Sequence, residues 1–167
     1  MRFKRWAIGI TALITVILFI GCDDDRPVQG TIAPAFTLQS LTSATKSQAD
    51  FYGKPLVLDF WATWCSPCKA AMPDVSHLAL QFRDHVNVIG VSTESNSKVS
   101  DFWTHSGNKY ATYLDPVGRA MNSFSVQSFP TMVVLDDHGV MQYEGSPPDL
   151  YKVRQILSKL IGENKSE

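Results

Sequence analysis

The sequence predicts an α/β domain with a central mixed β-sheet flanked by helices. Three observations carry this. Short apolar runs of strand length alternate with stretches of helical periodicity, the pattern of strand–helix–strand units. The chain then closes with a hairpin signal and one amphipathic helix, which adds antiparallel strands to the sheet. Two cysteines with two residues between them, Cys65 and Cys68, stand where a buried-strand run meets a helix. The chain's 167 residues suit one domain.

Phe36-Thr37-Leu38 alternates and predicts a short strand, while Ser40 to Asp50 carries only weak signals. Gly53-Lys54-Pro55 is a turn. Leu56 to Trp61 is a near-continuous apolar run, the sign of a central strand covered on both faces. From Cys68 to Arg83, Met72, Val75, Leu78, Ala79 and Phe82 recur at helical spacing. Pro73 falls inside that pattern and predicts a kink, since proline removes a backbone donor. Val86 to Val91 is a second buried strand, and Val99, Phe102 and Trp103 form a helical stripe. Tyr113-Leu114 starts a third strand, and Asp115-Pro116-Val117-Gly118 turns into a short helix with Ala120, Met121 and Phe124. Thr131 to Leu135 is a strand, Asp136-Asp137-His138-Gly139 a hairpin turn, and Val140 to Tyr143 the return. Pro147-Pro148 breaks before a last helix with Leu150, Val153, Ile156, Leu157, Leu160 and Ile161 on one face.

The N-terminus reads as an address. Met1 to Arg5 is basic, Trp6 to Ile20 is an uncharged apolar run of 15 residues, and Gly21-Cys22 precedes Asp23-Asp24-Asp25. As a helix the run spans ~22 Å, short of the roughly 30 Å hydrocarbon core, so a cleaved signal is favoured over a permanent span. The expected organisation is a signal peptide over 1–21, a tether over 22–30, one domain over 31–161 and a tail over 162–167. From Cys22 onward there are 12 basic and 16 acidic side chains, so no basic excess is available for nucleic acid.

The chemistry lies in Trp64-Cys65-Ser66-Pro67-Cys68. Thiolate is the nucleophile, and the unpaired N–H groups and positive dipole end of a helix N-terminus stabilise it. Cys65 is expected just before the first turn, more exposed, as the attacker; Cys68 lies in that turn as the resolving thiol. Pro67 is tolerated because first-turn donors are unbonded anyway. The competing reading is half a zinc site, but zinc wants four ligands and only one cysteine pair exists. His77, His85, His105 and His138 are scattered without ligand spacing, so no metal is expected.

The sequence resembles the thioredoxin superfamily, specifically the membrane-anchored thiol:disulfide interchange proteins of the TlpA/ResA/DsbE type. Ala33 to Leu38 looks like the strand entry of that branch, and Val57 to Lys69 matches its active-site block. Leu114 to Gly118 with the helix after it resembles the branch's mid-fold insert, and Phe129-Pro130-Thr131 its cis-proline loop. The resemblance implies a thioredoxin-like fold with an N-terminal strand extension. It implies a redox-active Cys65–Cys68 disulfide with no other cofactor. Pro130 becomes the cis residue beside the sulfurs, and Trp64, Ser66, Pro67, Phe129 and Thr131 become substrate-binding positions. From Pro130 alone, an edge-strand entry would be the reading. Leu18 to Cys22 resembles a bacterial lipoprotein signal with Cys22 lipidated, although Phe19 stands where leucine is usual.

Two departures bear on mechanism. Many relatives carry a glutamate three residues after the second cysteine, where this chain has Ala71. Asp59, six residues before Cys65, stands where thioredoxin has a buried aspartate and this branch often has asparagine. A carboxyl in a buried strand has a raised pKa and could relay the proton of Cys68, with Glu94 a weaker substitute. The contrary reading is a partly exposed Asp59 at a strand end.

The expected function is a thiol:disulfide oxidoreductase reducing protein disulfides, tethered by lipid or by its N-terminal segment to the inner membrane and facing the periplasm. A membrane thiol-transfer protein would donate its electrons. Clients in cytochrome c maturation or metalloprotein assembly, and a monomer, are what the resemblance implies. The rivals are the same dithiol run as an oxidant, a peroxiredoxin-type peroxidase and a non-catalytic metal-binding or chaperone module. The peroxidase would want a threonine at Ala62 and an arginine, for which Arg119 is the candidate.

Overall fold

The computed structural model describes residues 29–163. The signal, Cys22 and most of the predicted tether lie outside the described residues. Seven strands form one sheet in the order β2-β1-β5-β4-β3-β6-β7. The strands are β1 (Thr37–Ser40), β2 (Thr45–Ser47), β3 (Leu56–Phe60), β4 (Asn87–Ser92), β5 (Ala111–Leu114), β6 (Thr131–Leu135) and β7 (Met141–Gly145). The helices are α1 (Ser66–Phe82), α2 (Asn96–Ser106), α3 (Arg119–Ser123) and α4 (Leu150–Glu163). β3, β4 and β5 run parallel, and β1, β2, β6 and β7 pair antiparallel with their neighbours, so the sheet is mixed as predicted.

β3 is central because every one of its residues is buried, between β4 and β6. Side chains alternate across a strand, so β3 serves two faces. Leu56, Leu58 and Phe60 face a core shared with Phe36, Leu38, Phe51 and Phe124, covered by the N-terminal segment and α3. Val57 turns the other way, against Val75, Leu78 and Phe82 of α1 and Val153 and Leu157 of α4. Trp61, continuing β3 by donating its N–H to the Val91 carbonyl at 3.0 Å, joins Cys65, Cys68, Met72 and Val99 of α2. Asp59 lies between Val57 and Trp61 in that alternation, on the face that α1 covers.

The weak Ser40–Asp50 stretch holds β2 and a 3₁₀ turn over Gln48–Phe51, both missed from sequence. Their signal is local hydrogen bonding: Asp50 accepts from the Ser47 N–H at 2.7 Å and the Ser47 hydroxyl at 2.8 Å. α1 continues as one helix through Pro73. Tyr113-Leu114 ends β5, where the sequence predicts a start. The domain also reaches further back than predicted. Gln29 donates to the Gln142 carbonyl at 2.6 Å and the Gly30 N–H to Met141 at 2.7 Å, so two residues assigned to the tether belong to the sheet edge.

Candidate active site

The strand-to-helix junction after β3 presents the two cysteines. Ala62 is buried, and the Cys65 N–H closes a turn onto the Ala62 carbonyl at 3.1 Å. Cys65 is the N-cap of α1, with extended backbone and a sulfur that accepts from the Cys68 N–H at 3.1 Å. Cys65 and Cys68 form a disulfide across a Cα separation of 5.3 Å. The sulfur at the N-cap stands in for the thiolate of the reduced state, which would receive the same N–H and the positive end of the helix dipole. Pro67 is in the first turn, where its missing donor removes no helix bond.

One expectation is corrected. Cys65 and Cys68 are equally buried, each 3% exposed, so exposure does not mark Cys65 as the attacker. The reason is packing: Cys65 joins Trp61, Met72, Val99 and Leu114 in one cluster. What separates the two sulfurs is position, Cys65 alone receiving a first-turn N–H. The surface above is aromatic. Trp64 is 68% exposed, and its ring centroid lies 5.8 Å from that of half-buried Phe129. Ser66 and Pro67 are exposed beside it.

The Phe129–Pro130 bond is cis, and Pro130 is buried. Ser146 donates its hydroxyl to the Pro130 carbonyl at 2.9 Å, tying this loop to the end of β7. Phe129 reaches the surface, but the Thr131 side chain does not line a groove: it is buried and donates to the Ser128 carbonyl at 2.7 Å.

Asp59 is buried, 5% exposed, so the strand-end alternative fails. Burial pushes its carboxyl up to about 6, against a hydrogen bond from Tyr110 that pulls it down. That bond is 3.0 Å long, the Tyr110 hydroxyl donating to Oδ2. Leu58 and Phe60, its sequence neighbours, face away. Tyr110 lies 51 residues downstream with its ring edge-on to Trp103, and no local pattern announces it. Burial, with the charge and hydrogen bond of Asp59 added to it, raises Tyr110 far above its usual range, so the phenol keeps its proton and stays the donor. Glu94 is turned to Thr63, accepting from its N–H and its hydroxyl.

The arginine and histidines that the rival readings invoke lie on the surface. Arg119 is exposed and lines clefts with Thr37 at the β1–β2 edge. His77, His85, His105 and His138 are exposed. His138 stands beside Asp136 and Asp137 in the β6–β7 turn, where Asp136 Oδ1 already accepts from the His138 and Val140 N–H groups.

A dithiol-disulfide pair at a helix N-terminus, beside a cis-proline on a thioredoxin-like sheet, defines a thiol-disulfide oxidoreductase. The chain belongs to the Redoxin family, which it matches over residues 28–160. It is 31% identical over 151 residues to the thioredoxin-like protein YneN of Bacillus subtilis, covering 83% of this chain and 88% of that one. Similarity to the thiol:disulfide interchange protein DsbE of Xylella fastidiosa is 31% identity over 141 residues, covering 80% and 71%. Among solved structures, the exposed lipoprotein thioredoxin Etrx1 of Streptococcus pneumoniae superposes with a TM-score of 0.67 and 26% identity, covering 76% of this chain and all of that one.

Proposed function

We propose that this protein reduces protein disulfides outside the cytoplasmic membrane, with Cys65 as nucleophile and Cys68 as resolving thiol. The observation that carries the reading is the Cys65–Cys68 disulfide with Cys65 at the N-cap of α1. In the reduced protein the Cys65 thiolate attacks a client disulfide. A Cys65–client S–S bond forms, the client bond breaks and one client sulfur leaves as thiolate. Cys68 then gives up its proton and attacks the Cys65 sulfur, the Cys65–Cys68 bond forms, and the second client sulfur leaves. Two electrons have passed to the client, and the oxidised protein is the species described above. Asp59 is the proposed acceptor of the Cys68 proton, since it faces the α1 side of the sheet and titrates near working pH. Trp64, Ser66, Pro67, Phe129 and the cis-Pro130 loop form the proposed client surface, with the Thr131 backbone alone taking part at that end.

The signal-like run, Gly21 and Cys22 support lipidation at Cys22 and a tether at the inner membrane facing the periplasm. The pneumococcal protein described as an exposed lipoprotein supports the lipidation. Electrons would return from a membrane thiol-transfer protein. Cytochrome c maturation or metalloprotein assembly is the proposed setting, on the resemblance to the DsbE type. The domain would span 31–161, extended by the contacts of Gln29 and Gly30.

Trapping tests the roles. Cys68→Ser should accumulate client mixed disulfides on Cys65, because the resolving thiol is gone. Accumulation on the Cys65→Ser protein instead would reverse the assignment. The reduction potential of the pair tests the direction: a reductase should sit nearer about −270 mV than the roughly −120 mV of strong oxidants.

A further inference from the structure

We propose that Glu94 is a positioning residue for Cys65, holding through Thr63 the turn that delivers Cys65 and Trp64 to the surface. The inference rests on the reading of Cys65 as the attacking thiol. β3 and β4 pair regularly as far as the bond from Trp61 to Val91. Beyond it the chains part, and Ala62 to Cys65 forms the turn closed at 3.1 Å. The Thr63 N–H lies inside that turn, where a parallel strand would offer it the next carbonyl of β4. The Glu94 side chain takes that carbonyl's place. Its Oε2 accepts from the Thr63 N–H at 2.5 Å and its Oε1 from the Thr63 hydroxyl at 2.8 Å. The Glu94 N–H is itself braced on the Ser92 hydroxyl at 3.3 Å.

Both ends of one residue are thus clamped by one carboxylate, in a half-buried setting that limits competition from water. The next residue is Trp64 and the one after is the N-cap. Where the Cys65 sulfur falls relative to the Cys68 N–H therefore depends on how firmly Thr63 is held. Reduction of the disulfide removes the covalent restraint, and the Glu94 clamp remains. A role as proton acceptor for Cys68 fits less well, because both oxygens already serve Thr63.

The test compares Glu94→Gln with Glu94→Ala in the full chain, reduced and purified in detergent. Both lose the charge, and only glutamine keeps an acceptor for the Thr63 N–H. The readouts are the pH profile of iodoacetamide alkylation, with the labelled residue mapped by mass spectrometry, and single-turnover reduction of a model disulfide. The alanine variant should move the Cys65 profile to higher pH than the glutamine variant and slow attack by roughly tenfold, in line with a lost half-buried hydrogen bond. The glutamine variant should stay within about threefold of wild type, a conservative rescue. Thr63→Val, which loses the hydroxyl and keeps the N–H bond, should shift the profile in the same direction by less, and decides the matter if the alanine variant does not fold. Coincident profiles for glutamine and alanine, or a lowered melting temperature with no change in profile, would overturn the proposal. Label on Cys68 in the wild type would overturn the nucleophile reading itself, a result that involves no Glu94 variant.

Discussion

Asp59→Asn should stabilise the folded protein, and by an amount that depends on pH. The folded carboxyl titrates at about 6 against 3.8 for the free group, because burial disfavours its charge. A raised carboxyl pKa means the folded state holds the proton more tightly than the unfolded state. Stability is therefore unaffected by this group below about pH 4 and falls as pH rises from about 4 to 6, after which the penalty is complete. A shift of about two pKa units corresponds to about 3 kcal/mol as an upper figure, at 1.36 kcal/mol per unit. Asparagine has the same size and can accept the Tyr110 bond, and it carries no charge to desolvate. The expected difference between variant and wild type is up to ~3 kcal/mol at pH 7.5, about 1–2 M in urea midpoint, shrinking toward zero at pH 4. Urea unfolding of both oxidised proteins at the two pH values measures it. Tyr110→Phe in the Asp59 background removes the bond that lowers the carboxyl, so the window should still open near pH 4 and its upper end should move to higher pH. The same Asp59→Asn variant should slow the Cys68 resolving step by roughly tenfold and change Cys65 attack less, by stopped flow across pH. An equal stability difference at both pH values would refute the burial argument. Unchanged rates and pH profile would make Asp59 structural only.

Gly90→Ala should destabilise the fold by about 1–3 kcal/mol, because overpacking forces a shift. An added Cβ would lie 2.9 Å from the Trp61 indole nitrogen and 3.0 Å from the Thr112 hydroxyl, and thermal unfolding reads the loss. Labelled fatty acid should enter the wild-type chain and not Cys22→Ala, and equal labelling of both would end the lipoprotein proposal.

The architecture was legible wherever periodicity and burial agree. The all-buried β3, the stripe of α1 and the α4 face with Val153 and Leu157 inside all follow from local spacing. The 3₁₀ turn and β2 were not, since their residues are short and polar and held by bonds such as Ser47 to Asp50. At the site, the cysteine pair and the cis-Phe129–Pro130 loop were legible by motif, and Asp59 by its place in an apolar run. Its partner Tyr110 was not, because the contact arises only when β5 is brought two strands away from β3 in the sheet. The equal burial of the two sulfurs was also hidden, since it depends on how Trp61, Val99 and Leu114 close around Cys65.

The end of β3 divides the proposed labour by geometry. Strand alternation puts Asp59 and Trp61 on the face that α1 covers, where Cys68 begins the buried stripe of the helix. Two residues further the strand has ended, and Thr63 is held from the side by Glu94. One carboxyl therefore lies beneath the helix, with its charge disfavoured, and the other lies beside the turn with its oxygens occupied. The first is suited to moving a proton during resolution, and the second to fixing where the sulfur attacks. A buried carboxyl with a single strong donor is a poor choice for stability alone, as the asparagine comparison makes quantitative. On the face that α1 covers, the proposed transfer of the Cys68 proton would give that cost a chemical use.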